Sequence, residues 1–389
     1  MKVLKYDGMP AIVATFALAI SGLSLLLPAT PAWVVSGGAG SLGAGLTTAT
    51  LMGCTVATQL CMPRILRRWG WTRVLVTGAL LMGLPAPLQA FSPNLGLVLV
   101  SSGLRGVGFG ILTVCASTAL TLLIPAEARG RAVGLYGLAA AGTQMILTPL
   151  APWLVELWGF RPVLVLGVLP ALGVPFAYKL GKLVDALPPQ PVRERQAGGS
   201  VLSRIWPALL TLTLTTSAGG AFMTFADQLS PSASAAAVAL LVLTVMATPT
   251  RLYGGGLTDR FGTRVLMSPV LALTAVGLLL ISFSTREPTP DSRLVLLLGG
   301  VLLLGFGYGF LQSVTMVRAF ADSEGETTRA SVAWNVNFDV GTGLGGLMLG
   351  ALMQVSTAST AWLLWAALLL VTAVLLGFKD ARERQSAGR

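Results

Sequence analysis

Histidine is absent from this sequence, which removes imidazole as a metal ligand or as a proton carrier near neutral pH. Cysteine is scarce: Cys54, Cys61 and Cys115 are odd in number, lack any zinc spacing and fall in apolar runs, so they are expected to be small buried residues. No Gly-x-x-x-x-Gly-Lys-Ser/Thr loop occurs, so nothing points to a phosphate cradle for ATP hydrolysis. A nucleophile triad signature is missing too, and these absences together argue against an enzyme and against any cofactor or metal. Charge is also sparse, at 11% of residues where soluble domains carry about a quarter. What fills the chain is apolar: 54% of its 389 residues are hydrophobic and the mean hydropathy is +0.78. Most of such a chain cannot face water.

A helix needs about 20 apolar residues to cross the hydrocarbon of a bilayer, and inside lipid the backbone must satisfy its own hydrogen bonds. Apolar runs of that kind lie at 11–34, 41–63, 74–91, 96–122, 131–153 and 162–182, then at 204–226, 233–256, 265–284, 293–317, 331–354 and 357–379. The first is too long for a signal peptide and continues into the second without a convincing cleavage site, so it is kept as a span. Between the sixth and seventh, 184–203 contains Pro188, Pro189 and Pro191, then Gly198 and Gly199, with Arg193 and Arg195 between them. That composition reads as an exposed linker. The expected fold is an all-α membrane protein of twelve transmembrane helices in two pseudo-symmetric six-helix bundles, 1–183 and 204–389, joined by a cytoplasmic linker over 184–203.

The net charge of +11 would suggest nucleic-acid binding in a soluble protein. Here the basic residues are scattered over short loops. With the amino end inside, all of the 26 basic residues except Arg105, Arg161, Arg286 and Arg293 fall in inner segments. Short loops that retain Lys and Arg stay cytoplasmic, so both termini are expected inside a bacterial inner (plasma) membrane. No nucleic-acid partner is expected, and the chain is read as a monomer in the lipid bilayer.

The two halves echo each other. Arg68, Trp69 and Gly70 correspond to Arg260, Phe261 and Gly262, with Ile65 matching Leu257. Leu104-Arg105-Gly106-Val107-Gly108-Phe109-Gly110 likewise corresponds to Leu303-Leu304-Gly305-Phe306-Gly307-Tyr308-Gly309. Glycines four residues apart present one small face for close helix contact.

These residues resemble the major facilitator superfamily, in particular its bacterial drug or sugar efflux-type members. That family's loop pattern, Gly-x-Leu-x-Asp-Arg-x-Gly-x-Arg, is matched at Gly255, Leu257, Asp259, Arg260, Gly262 and Arg264. Its pattern of an Arg followed by alternating glycines is matched at Arg105, Gly106, Gly108 and Gly110. The first-half loop departs, with Pro63 in place of Gly and Arg67 in place of Asp. Thr148-Pro149-Leu150-Ala151-Pro152 also departs from the Gly-Pro pattern of proton-driven antiporters. The resemblance implies a secondary active transporter working by alternating access, with proton-coupled efflux of a small solute.

Several residues are candidates for function. An Asp at a helix end can bond a neighbouring helix's free amides, so Gly255, Asp259, Arg260, Gly262 and Arg264, with Arg67, Arg68 and Gly70, are candidates for a gating latch, altered in the first half. Asp339 is the one carboxylate well inside a predicted span, with Asn335 one turn earlier on the same face. A buried ionisable group in lipid is costly and is a functional candidate, so Asp339 is expected to couple protons to solute movement, and Arg105 to assist by resemblance to the family. Trp33, Thr48, Thr55, Phe222, Phe225, Gln312 and Asn335 are candidates to line a cavity for a neutral or lipophilic solute. The alternative reading is a transporter-like membrane sensor or assembly partner that does not transport.

Overall fold

The computed structural model describes residues 2–188 and 201–387, so most of the expected linker, 189–200, lies outside the described residues. Asp259 sits on a described helix, but its side chain lies outside the described set. The helices are α1 (Met9–Ser36), α2 (Ser41–Trp69), α3 (Trp71–Gly83), α4 (Ala86–Gln89), α5 (Leu95–Leu123), α6 (Ala126–Trp158), α7 (Phe160–Leu166) and α8 (Val174–Asp185). They continue as α9 (Val201–Leu229), α10 (Ala233–Phe261), α11 (Thr263–Ser284), α12 (Pro290–Ala321), α13 (Thr327–Val355) and α14 (Ala358–Ala387).

Among the described residues, eleven helical segments are long and apolar enough to cross a membrane. The expectation of twelve therefore holds only in part. The exception is α2, a continuous 29-residue helix whose apolar character is diluted by Thr47, Thr48, Thr50, Thr55, Thr58 and Gln59 before it ends in Arg67 and Arg68. Two expected spans are broken. The run 74–91 divides into α3 and α4 around Pro85, and 162–182 divides into α7, a 3-10 turn at Leu169–Gly173 and α8. Pro170 and Pro175 stand at the starts of the last two pieces, where a missing N–H costs nothing.

The chain forms two compact units, one of residues 1–39 and 50–196, the other of 40–49 and 197–389. In the first unit α1 packs on α5 and α6, and α3 on α5 and α8. Gln89 pins α4. Its Oε1 accepts from the Thr30 hydroxyl at 3.0 Å and its Nε2 donates to Ser101 at 3.0 Å, so a fully buried amide joins three helices with its polar atoms satisfied. In the second unit α9 packs on α13, α10 and α11 on α12, and α11 on α14.

The glycine faces do matching work in each unit. A Cβ on Gly106 would strike the Leu51 carbonyl, and one on Gly110 would lie 2.6 Å from the Thr55 carbonyl, so α5 touches the α2 backbone. A Cβ on Gly305 would lie 2.8 Å from the Leu243 carbonyl and one on Gly309 would strike that of Ala247, so α12 meets α10 the same way. Thr55 donates across its interface to the Gly106 carbonyl at 3.0 Å, a polar bond that only such close backbones permit.

One end of the second unit is tied by charge. Arg318 of α12 and Asp380 of α14, 1% and 0% exposed, form a bidentate pair at 2.8 and 2.7 Å, and Asp322 adds a contact at 3.3 Å. Around them Arg264 reaches Asp322 and Glu383, Lys379 pairs with Glu383, and Arg204 bonds Glu324 and Glu326. Arg329, and then Arg204, hold the Glu326 carboxyl below its ordinary value by hydrogen bonding. Its contribution is present above the ordinary carboxylate range and lost as pH falls through the depressed value. These ion pairs, with that of Arg329 and Glu326, all lie in this unit.

This packing sets the response to substitution. Gly309→Ala should lower the thermal midpoint of purified protein in detergent, by an overpacking cost of about 1–3 kcal/mol. Gly142→Ala, whose Cβ would meet nothing within 4 Å, should leave it unchanged or raise it. Asp380→Asn strands a buried guanidinium and should destabilise by about 3–5 kcal/mol, read as lost monodisperse protein on size exclusion. Pairing Asp380→Leu with Arg318→Met should recover much of that loss, and no recovery would mean the pair does more than neutralise itself.

Candidate functional site

The most concentrated set of buried polar chemistry outside that ion-pair network lies on α10, α12 and α13 of the second unit. Asp339 of α13 is 7% exposed, and Tyr308 and Gln312 of α12 are 6% and 3% exposed. Tyr308 is hydrogen-bonded to Gln312 and feels the charges of both Arg251, on α10, and Asp339. The Gln312 Oε1 is buried with no partner among the described residues, an acceptor held ready for a donor. Tyr308 is seated by backbone, because a Cβ on Gly219 of α9 would collide with its ring, and the Phe338 ring closes its other side at 6.4 Å. Trp334 packs on Phe338 at 5.8 Å and donates its indole N–H to Thr315 at 3.1 Å.

Sequence spacing placed Asn335 beside Asp339, and the structure turns it away. Its amide donates to the Ser331 carbonyl at 2.8 Å on its own helix, and the residue is exposed. Asn337 makes the inter-helix bonds instead, to the Leu209 carbonyl and the Thr213 hydroxyl at 2.8 and 2.7 Å. The site thus holds a buried phenol and amide in contact, within electrostatic range of a buried carboxylate and of the exposed Arg251 guanidinium. Such a set can hold or pass a proton and can bond polar groups of a small molecule.

In the first unit Arg105 of α5 is 1% exposed, and its Nη2 donates to the Gly22 carbonyl of α1 at 2.9 Å. Its Nε has no partner among the described residues, so part of a buried guanidinium is left for another acceptor. Trp33 is half-buried, donates its indole N–H to the Gln89 carbonyl at 2.9 Å and stacks obliquely on Phe160 at 5.2 Å. Thr55 is fully buried with its hydroxyl bonded to the Leu51 and Gly106 carbonyls.

The other expected cavity residues lie in the second unit. Thr48 and Thr224 share a hydrogen bond at 2.9 Å, and Phe222 and Phe225 are fully buried, the former edge-on to Trp362 at 6.4 Å. Of the expected latch residues, Gly70 and Gly262 adopt φ of 73° and 81° at helix junctions, a conformation that favours glycine. Gly255 stands in open space, Arg67 and Arg68 are exposed, Arg260 lies over the Phe261 ring at 5.2 Å, and Arg264 pairs with Asp322 and Glu383.

Several polar residues escaped the sequence reading. Tyr308 stands where the first-half echo has Phe109, the one signal that could have marked it. Asp380 is buried more completely than Asp339, and nothing in its neighbourhood at a helix end advertised that. Asp185 makes the amide-capping bonds expected of a loop acid: it accepts from the Trp71 and Thr72 N–H groups at 2.9 and 3.0 Å and from the Thr72 hydroxyl at 2.6 Å. Cys115 is buried as expected, whereas Cys61 is exposed.

Comparison with known proteins agrees with this architecture. Similarity to an MFS-type transporter of Pseudomonas aeruginosa is 29% identity over 121 residues, 31% of this chain and 30% of that protein. An MFS-type transporter of Mycobacterium tuberculosis is 26% identical over 183 residues, 47% of this chain and 26% of its own length. The chain thus spans less than a third of these relatives. Among solved structures, the POT family transporter PepTSo superposes with a TM-score of 0.77 at 12% identity, covering 98% of this chain and 99% of that one. A bacterial homologue of the lysosomal transporter Spinster gives 0.71 at 14% identity, covering 96% of each chain. At these identities the likeness is one of fold. The Major Facilitator Superfamily profile matches residues 12–226 and 205–388, nearly the whole chain, and the protein belongs to that superfamily of membrane transporters.

Proposed function

We propose that this protein is a secondary active transporter that exports a small, neutral or lipophilic solute by alternating access, coupled to protons. The observation that carries the reading is the buried carboxylate of Asp339 on a membrane helix, within electrostatic range of the buried Tyr308, which Arg251 also reaches. A carboxylate in so apolar a setting is costly to keep charged, so a change in its surroundings during alternating access would change its proton occupancy. Arg105 contributes a second buried ionisable group, one whose Nε is left without a partner among the described residues. The few charges elsewhere in the spans suit an uncharged solute better than a polyanion. The α2 helix, polar as it is, completes a set of twelve spans with both termini and 184–203 on the cytoplasmic side.

The rival reading, a transporter-like sensor without transport, differs in one measurable respect. Proteoliposomes with an imposed pH gradient and a panel of labelled compounds should show accumulation of at least one compound, whereas a sensor would bind without accumulation. Asp339→Asn should abolish gradient-driven accumulation while leaving downhill exchange. Unchanged uphill transport with the same pH dependence would remove Asp339 from coupling. Arg105→Lys keeps the charge but loses the planar fork, and Arg105→Ala loses both. Transport should fall in that order, and full activity in Arg105→Ala at normal expression would end its assigned role. For topology, reporters fused at either terminus or within 184–203 should all read as cytoplasmic, and a periplasmic signal at any one would overturn the orientation.

A further inference from the structure

The α2–α3 corner and the α10–α11 corner are built alike. Each is a long helix ending in an aromatic residue, Trp69 or Phe261, then one glycine at positive φ, then the next helix. Their handling of charge differs. In the second unit Arg264 pairs with Asp322 and Glu383, and the position before Arg260 is itself an acid, Asp259.

In the first unit Arg64, Arg67 and Arg68 on the last turns of α2, and Arg73 on the first turn of α3, are all exposed. None of the four is in an ion pair or side-chain hydrogen bond among the described residues, and Arg67 occupies the place of Asp259. The acid at this corner, Asp185, already has both oxygens engaged by Trp71 and Thr72. Helical spacing puts Leu60, Arg64, Arg67 and Arg68 along one face. Leu60 is 62% exposed, so this face runs from an apolar side chain to guanidinium groups, while Trp69, 53% exposed, ends the helix on its other side. That order is the order of a lipid, from acyl chain to phosphate.

We propose that the α2–α3 corner binds the phosphate of an anionic membrane lipid of the phosphatidylglycerol type. Where the second unit neutralises its corner with protein carboxylates, the first does so with lipid. Guanidinium groups are suited to phosphate because their paired N–H donors match two phosphate oxygens. The inference needs only that the protein lies in a membrane, and not that it transports.

The test is native mass spectrometry of the full chain in detergent, supplied with phosphatidylglycerol or phosphatidylcholine. Wild type should retain phosphatidylglycerol in preference, by about tenfold or more given several cationic contacts. The variant Arg64→Gln/Arg67→Gln/Arg68→Gln/Arg73→Gln should lose that preference. Because stripping four arginines can disturb insertion, Arg67→Asp is the companion variant: it places an acid where the second unit has one, and should weaken the preference severalfold. The same four positions changed to Lys should retain part of it. Equal retention of the two lipids by wild type, or an undiminished preference in Arg67→Asp, overturns the proposal. Displacement of bound lipid by millimolar inorganic phosphate would also overturn it, in favour of a site for free phosphate.

Discussion

A hydrocarbon interior offers no hydrogen-bond partners, so each backbone amide must be satisfied within its own helix and each polar side chain must find a protein partner. This constraint organises both units. Long helices absorb the backbone, and hydroxyls bond back to carbonyls one turn away, as at Thr211, Thr215, Thr224 and Thr244. Attraction between helices then depends on contact, because lipid tails are as apolar as leucine. Gly106 and Gly110, and again Gly305 and Gly309, supply that contact by letting one backbone touch another.

Some buried polar atoms escape this rule. Polar atoms left without a described partner in buried positions include the Nε of Arg105 and the Oε1 of Gln312, both among groups read as functional. By contrast the Gln89 amide and the Arg318–Asp380 pair are satisfied and hold helices together. Burial alone therefore does not mark a site in this protein.

The two corners that echo each other differ in charge. Both keep a glycine at positive φ between their second and third helical runs, since neither corner could turn so tightly otherwise. Yet the ion pairs that brace the second unit have no described counterpart at the α2–α3 corner, where arginines face outward. The two corners share a backbone shape because the turn is a steric requirement, and they differ in charge because their side chains answer to different surroundings.

Much of the fold was legible in the sequence, because hydrophobic run length reports directly on what must be buried in lipid. Glycine spacing likewise announced which faces of α5 and α12 would meet their neighbours. The polar character of α2 and the breaks at Pro85 and Pro170 were written there too, but their effect on a span depends on what packs around them. Which polar residues meet was decided only in three dimensions. Asn335 lies one turn from Asp339 and bonds back along its own helix, while Tyr308, distant in sequence, is brought within electrostatic range of Asp339 by α12. Asp185 and Asp380 both lie on the last helices of their halves, one at the end of α8 and the other about two turns before the end of α14, yet one caps α3 and the other buries an arginine. Periodicity fixes the face of a helix a residue occupies, whereas its partner is set by crossings between helices, and those depend on the packing of the whole unit.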